Sequence, residues 1–158
     1  MDKKNYIYGF DISIASPGCA IFDIDGNPIF FDSLFTNPKE STGKRLKAIA
    51  TWVLDLREKY PPNKIIIERA FNRYNNVTAQ LYRVHGVINM IFWDMEQIYY
   101  TPRDIKLTIL KGTATKAELR EKINTVYKNI TFKSEDESDS CAVALSYFVK
   151  NKIIDWKK

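Results

Sequence analysis

A chain of 158 residues with 45% hydrophobic and 13% aromatic residues can fill a real core, so we expect one compact domain over residues 1–158. Its two cysteines, Cys19 and Cys141, are too few for a disulfide framework and lack the close Cys or His neighbours of a zinc site, so both should be reduced core residues. The start lacks the apolar run of a signal peptide, and no stretch approaches the ~20 apolar residues of a membrane span, which predicts a cytoplasmic protein without a membrane partner.

The charge is basic and unevenly distributed. The chain has 24 Lys and Arg against 19 Asp and Glu, a formal net charge of +5. No acid occurs between Arg69 and Trp93, and the segment from Thr101 to Lys122 has six bases and three acids. A solvated lysine-rich surface would account for the net charge alone, but two basic stretches predict a polyanionic partner.

The first predicted strand contains an aspartate that packing does not explain. The stretch YIYGFDISI (6–14) is rich in aromatic and β-branched residues, and the turn formers Ser16, Pro17 and Gly18 are expected to end it. Asp11 lies in the middle of this stretch. Because an unpaired carboxylate is costly to remove from water, either a partner neutralises Asp11 or a ligand binds it.

The remaining segments predict an α/β fold in which helices cover both faces of a mixed five-stranded sheet. Two strands joined by a turn at Asp25-Gly26-Asn27 follow the first. Next come a helix over 42–59, the apolar strand NKIIIE (63–68), a long helix from about 75 to 95 and a strand at 98–100. Pro102 opens a short helix, and two more helices are expected near 116–128 and 135–151.

Acidic residues occur at three separate places in this basic chain. Glu68 ends the strand NKIIIE, where it would most often be a surface residue or half of an ion pair. Asp136 and Asp139 are three residues apart and therefore share one face of the last helix. A capping box between Ser134 and Glu137, with acids that favour a helix N-terminus, is the structural alternative for this cluster. It does not account for the acids on the two strands.

Four converging carboxylates would repel one another unless cations lay between them. Mg²⁺ prefers oxygen ligands and commonly binds one or two carboxylates together with substrate phosphate oxygens. Two such ions can stabilise both the attacking and the leaving oxygen of a phosphodiester, which is nuclease chemistry. No serine–histidine or cysteine–histidine couple competes, because His85 is the single histidine and is expected to have a core or surface role.

Four segments, in order, resemble the RuvC-type Holliday junction resolvases of the ribonuclease H-like superfamily, most of all those carried by phages of Gram-positive hosts. The segments are YGFDISIASPGCAIFD (8–23), IIIERAF (65–71), YTPRDIKLTILKGTATKAEL (100–119) and DESDSCAVALSY (136–147). The resemblance implies a homodimeric endodeoxyribonuclease that cuts four-way junctions with two Mg²⁺ ions per active site, which Mn²⁺ can replace. It implies that Asp11, Glu68, Asp136 and Asp139 are the metal-binding catalytic carboxylates.

The resemblance also implies residues that contact DNA. Lys106 and Lys116 match lysines near the scissile phosphate, where Lys116 would also stabilise developing charge. Phe71 matches an aromatic residue that stacks on an unpaired base, and core packing is its alternative. Arg73 and Lys111 belong to the same basic stretches and are expected to contact DNA.

The long helix carries a pattern that fits a dimer. Six apolar residues at spacings of four and three form a seam along it: Val77, Leu81, Val84, Ile88, Ile91 and Met95. Tyr82, Met90 and Trp93 lie on another side, so one face can cover the sheet while the other meets a second subunit. Burial of the whole helix within one domain is the alternative.

Two features of the sequence depart from the family pattern. Two alternative functions are also considered. Asp11 is followed by Ile12-Ser13 where family members usually have Pro-Gly, and the closing motif reads Asp-Glu-Ser-Asp-Ser instead of an alanine-spaced form. A monomeric ribonuclease H that cuts RNA in RNA-DNA hybrids would use the same acids. A junction-binding protein without catalytic activity would bind DNA and cut nothing.

Overall fold

The computed structural model describes residues 5–69 and 76–158, which form five strands and five helices. In chain order these are β1 (Tyr6–Asp11), β2 (Gly18–Asp23), β3 (Pro28–Ser33), α1 (Thr42–Lys59), β4 (Pro62–Glu68), α2 (Asn76–Ile91), β5 (Glu96–Tyr100), α3 (Pro102–Ile109), α4 (Lys116–Val126) and α5 (Glu135–Lys150). The predicted order of strands and helices is confirmed.

The five strands form one mixed sheet in the order β3-β2-β1-β4-β5. The hairpins pair β1 with β2 and β2 with β3 antiparallel, while β1 with β4 and β4 with β5 are parallel. Each parallel connection includes a helix, as the chain direction requires. The carboxyl ends of β1, β4 and β5 therefore meet at one edge of the sheet, together with the end of β3.

Helices cover both faces of the sheet, as predicted. On one face, α5 packs on β1 and β2 around a buried cluster that includes Ile7, Phe22 and Phe148. On the other face, residues of α1 and α2 pack around Tyr8 and Phe10. Side chains of β1 alternate between these two cores because successive strand residues point to opposite faces.

Two elements end earlier than their sequence patterns predict. The first strand stops at Asp11, because Ser13 Oγ accepts hydrogen bonds from the backbone N of Ala15 and Ser16 and turns the chain. The helix expected to reach residue 95 ends at Ile91. There the side-chain amide of Gln97 donates to the carbonyl oxygen of Phe92 at 2.9 Å, which satisfies an acceptor at the end of the helix.

Two glycines allow α5 to lie directly on the sheet. A Cβ added to Gly9 would be 2.5 Å from the backbone N of Ala144, and one added to Gly18 would be 2.2 Å from the carbonyl oxygen of Asp136. Because neither position has a side chain, the first turn of α5 approaches the strand edge where β1 ends. The sheet and the helix therefore meet where the predicted acids are located.

The remaining predictions about the chain can be compared directly with the structure. Both cysteines are free thiols in the core, as predicted. Among the described helices, none has both the length and the apolar character needed to cross a membrane.

Candidate active site

Two carboxylates lie side by side at the carboxyl ends of the two central parallel strands. Phe10 of β1 pairs with Ile67 of β4, so Asp11 and Glu68 are the next residues on neighbouring strands. Both side chains are partly buried. The prediction that these two acids, 57 residues apart in the chain, meet at one edge of the sheet is confirmed.

The acids of α5 reach the same edge because of how this helix begins. Ser134 is its N-cap and accepts a hydrogen bond from the backbone N of Glu137 at 3.2 Å. The predicted capping box forms only in half. The buried Glu137 carboxylate extends past the cap and accepts from the backbone N of Lys133 at 2.7 Å. Asp136 and Asp139 are thus left to face the end of β1.

The acids of β1, β4 and α5 lie close enough for their charges to affect one another. Burial, followed by the charges of Glu68 and Asp139, raises the pKa of Asp11 well above its ordinary value, and Asp136 adds to this shift. Burial likewise raises the pKa of Glu68, and Asp139 contributes to that increase. The positive charge of Lys116 opposes both shifts.

Lys116 contacts one of these acids directly. Its Nζ donates to Asp139 Oδ2 at 2.5 Å. Burial lowers the pKa of Lys116, but this hydrogen bond and the charges of Asp139, Asp11 and Glu68 outweigh burial, and the pKa is raised. Lys116 is the first residue of α4, and Thr115 and Glu118 form the capping box that starts this helix.

A cavity of about 210 Å³ opens beside the paired strand acids. Its lining includes Asp11, Glu68, Arg69, Leu81, His85 and Lys116. A space of this size with carboxylates and a lysine at its walls can admit a phosphate group and the water that attacks it. The geometry therefore suits hydrolysis of a phosphodiester.

The donor chemistry of this site fits a hard divalent cation. Carboxylate oxygens from β1, β4 and α5 converge. Burial, followed by neighbouring acids, raises the pKa of Asp11 and Glu68, and a bound cation would offset this penalty on their charged forms. Within residues 5–69 and 76–158, no three His, Cys, Asp or Glu side chains are close enough together to hold an ion as they stand. The ion pair with Lys116 currently takes one oxygen of Asp139.

Besides Lys116, four residues are expected to contact DNA, and two of them lie in the described part of the chain. Lys106 is on α3, and its charge lowers the pKa of Glu68, so it lies near the acids. Lys111 is exposed and forms a 3.5 Å ion pair with Glu118. Phe71 and Arg73 lie outside the described residues.

Two residues of the cavity wall with basic side chains, Arg69 and His85, were not among the predicted site residues. Arg69 directly follows Glu68, and its backbone N donates to the carbonyl oxygen of Tyr100 at 2.8 Å. His85 is only 7% exposed, and burial lowers its pKa. Its buried Nε2 has no hydrogen-bond partner among the residues that the structure describes, 5–69 and 76–158. Adjacency to Glu68 was an available signal for Arg69, whereas His85 reaches the cavity only through the packing of α2.

The strand order, the helices on both faces and the acids at the shared strand edge define an α/β protein with a ribonuclease H-like nuclease fold. Solved structures show the same fold. T. thermophilus RuvC in complex with Holliday junction substrate has a TM-score of 0.82 at 16% identity, with 94% of this chain and 96% of that chain covered. The yeast mitochondrial Holliday junction resolvase has a TM-score of 0.68 at 14% identity, with 95% and 82% covered.

Sequence similarity identifies the family. The family model described as crossover junction endodeoxyribonuclease RuvC matches residues 7–147. A protein of that name from Dictyoglomus thermophilum is 28% identical over 92% of this chain and 98% of its own length. Another from Hydrogenovibrio crunogenus is 29% identical over 93% of this chain and 89% of its own length. The chain belongs to the crossover junction endodeoxyribonuclease RuvC family.

Proposed function

We propose that this chain is a structure-selective endonuclease that resolves four-way DNA junctions by paired phosphodiester cuts. The observation that carries the proposal is the meeting of Asp11, Glu68 and Asp139 with Lys116 at one edge of a RuvC-family fold. The family assignment favours this activity over ribonuclease H action on RNA-DNA hybrids and over junction binding without cleavage. The match over residues 7–147 supports one nuclease domain for the whole chain.

Asp11, Glu68, Asp136 and Asp139 are the residues we propose to hold the metal. Their oxygen donors suit Mg²⁺, with Mn²⁺ as a substitute and two ions per active site. When bound, the ions would supply charge stabilisation to the attacking and leaving oxygens of the phosphodiester. The carboxylates themselves orient the reacting water. Without a cation, their negative charge repels the phosphate of the DNA.

Lys116 stabilises negative charge that develops on the phosphate during cleavage. Its Nζ already contacts Asp139, so its ammonium group is held within reach of the acids. Lys106 and Lys111 bind phosphates of the DNA backbone on the same side of the acids as Lys116. Phe71 is proposed to stack on a base next to the crossover, and Arg73 is proposed to contact the DNA.

Two copies of the chain act together in this proposal, because a four-way junction is two-fold symmetric and needs two matched cuts. The surface of α2 supports such a dimer. Val84, Ile88 and Ile91 are buried against the sheet. On the outer side, Met90 is 64% exposed and Trp93, just beyond the helix, is 80% exposed. A second copy is the partner we propose for this apolar face.

Incubation with a labelled synthetic four-way junction tests the proposal. With Mg²⁺, we expect nicks at symmetrical positions on two strands of like polarity. With a chelator, we expect junction binding to continue and cleavage to stop. The proposed activity would be contradicted if the protein cut an RNA-DNA hybrid but left the junction intact. It would also be contradicted if the protein bound the junction without cutting it under any divalent cation.

A further inference from the structure

Phe35 is an exposed aromatic residue whose backbone is held in place. The residue is 77% exposed although the residues on either side of it are anchored. The backbone N of Leu34 donates to the carbonyl oxygen of Pro17 at 3.0 Å, and that of Thr36 donates to Ala15 at 2.9 Å. Thr36 is buried, and its hydroxyl accepts from Arg45 Nε at 2.9 Å. The structure therefore presents the Phe35 ring to solvent on a fixed segment.

The direction of the ring follows from these hydrogen bonds. Leu34 and Thr36 both donate toward residues 15–17, so the chain continues in extended form beyond β3. Side chains two residues apart on an extended chain point to the same face, so Phe35 shares a face with Ser33. Ser33 Oγ is 3.1 Å from Ser134 Oγ, the N-cap of α5. The ring thus lies on the face of the sheet that α5 covers, beside the first turn of α5, which carries Asp136.

The distance from Phe35 to the acids is set by the sheet. β3 is separated from β1 by one strand, which corresponds to roughly 10 Å at the usual strand spacing. Consecutive phosphates along a DNA strand are about 3.4 Å apart along the helix axis. A strand whose helix axis runs from β1 toward β3, with its scissile phosphate at Asp11, would therefore pass Phe35 about three nucleotides away.

A cation accompanies the ring on this side of the acids. Lys133 immediately precedes Ser134, and its side chain is exposed. Glu137 is buried, and its carboxylate accepts a hydrogen bond from the Lys133 backbone N. Glu135 lies 3.7 Å from Arg120 in an ion pair. Lys133 is thus placed to meet an external anion.

We propose that Phe35 and Lys133 form a second DNA contact on the β3 side of the active site. The ring packs on a base of the cut strand about three nucleotides from the scissile phosphate, and Lys133 binds a neighbouring phosphate. Lys106, Lys111 and Lys116 lie toward α3 and α4, on the opposite side of the acids, so the strand is held on both sides of the cut. This inference rests on the proposed function.

Junction binding by matched variants tests the role of the ring. Because base stacking on an aromatic residue has a large effect on affinity, Phe35→Ala should weaken binding of a four-way junction by roughly fivefold to a hundredfold. Phe35→Trp should keep the affinity within about threefold of the parent value. Ile29→Ala, an exposed apolar residue at the other end of β3, is the control and should leave binding unchanged. Binding by Phe35→Ala within twofold of the parent would overturn the inference.

The salt dependence of binding tests Lys133. Lys133→Ala should reduce the slope of log affinity against log salt by about 0.9, the effect of one lost phosphate contact. Lys128→Ala is the matched control, because Lys128 is exposed in the same connection but follows Tyr127, whose hydroxyl donates to Gly26 at the far end of the sheet. An unchanged slope for Lys133→Ala would remove this residue from the contact.

A fluorescence measurement first locates the base contact with the parent protein, and Phe35→Ala then tests whether the ring makes that contact. With 2-aminopurine placed at successive positions of the cut strand, emission should change about three nucleotides from the cut, and Phe35→Ala should abolish that change. No change within six nucleotides on either side would overturn the inference. A parent protein that does not bind or cut the junction at all would instead contradict the proposed function.

Discussion

The Nζ atom of Lys116 lies 2.5 Å from Oδ2 of Asp139, and this contact joins the start of α4 to the first turns of α5. The lysine side chain is largely exposed while the aspartate is mostly buried. An ion pair with one exposed partner adds little to stability in water. Its importance is therefore positional, since it holds a positive charge beside three carboxylates.

Replacing Lys116 by alanine should slow cleavage far more than it weakens binding. The ammonium group stabilises charge that develops only during the reaction, and loss of one such group typically costs about 10²–10³ in rate. Single-turnover cleavage rates and junction Kd values measured side by side would separate the two effects. Lys128→Ala is the control. Equal losses of rate and affinity would make Lys116 a phosphate anchor only.

Asp11→Asn and Glu68→Gln should each abolish cleavage and leave junction binding largely intact. Both changes keep the size of the side chain but remove a carboxylate from the paired strand ends. Binding should persist because it depends on the basic residues around the site. Gel-shift and cleavage assays on the same junction would measure both properties, with exposed Asp55→Asn as the control. A variant that nicks at close to the parental rate would exclude that residue from the site.

The raised pKa of Asp11 predicts how stability depends on pH. Because its pKa in the folded state is well above the ordinary value of 3.8, the folded chain holds this proton more tightly than the unfolded chain does. The associated stability is present below pH 3.8 and is lost as the pH rises through the folded-state pKa.

Asp11→Asn should therefore be more stable than the parent at pH 8 without divalent cations. Thermal unfolding from pH 8 down to pH 4 should show the difference shrinking. A difference that stays constant with pH would contradict the raised pKa.

The contact between Gly18 and α5 predicts a coupled loss of stability and activity. In Gly18→Ala, the new Cβ would overlap the carbonyl oxygen of Asp136, so the first turn of α5 must shift. Such overpacking typically costs about 1–3 kcal/mol, and here it also displaces two site carboxylates. Gly43→Ala is the control, because a Cβ there meets nothing within 4 Å and alanine favours helix. Unchanged Tm and cleavage in Gly18→Ala would contradict the close approach.

Charge on the outer side of α2 should dissociate the proposed dimer. Met90→Glu and Trp93→Glu place carboxylates on an exposed apolar surface, where burial against a second copy would be costly. We expect monomers by analytical ultracentrifugation and a loss of paired cuts. Leu54→Glu, at an exposed position of α1, is the control and should keep the oligomeric state of the parent. A parent that is monomeric at micromolar concentration would contradict the dimer.

The order of strands and helices was predictable because it depends on local patterns. Apolar periodicity, the Asp25-Gly26-Asn27 turn and Pro102 at the start of α3 act over a few residues, and the structure contains every predicted element. The unusual placement of Asp11 and Glu68 in apolar strands was predictable for a related reason. Charged residues inside or at the end of apolar strands conflict with packing, and this conflict is visible in the sequence itself.

Tertiary structure alone decided the details of the site, because they depend on contacts between distant residues. The pairing of Lys116 with Asp139, the approach of α5 over Gly9 and Gly18, and the position of His85 in the cavity wall all arise when separate elements pack together. No local pattern encodes such distances. The amino-acid sequence thus determined which residues could form the site, and the packing of α5 and α2 on the sheet determined which of them meet.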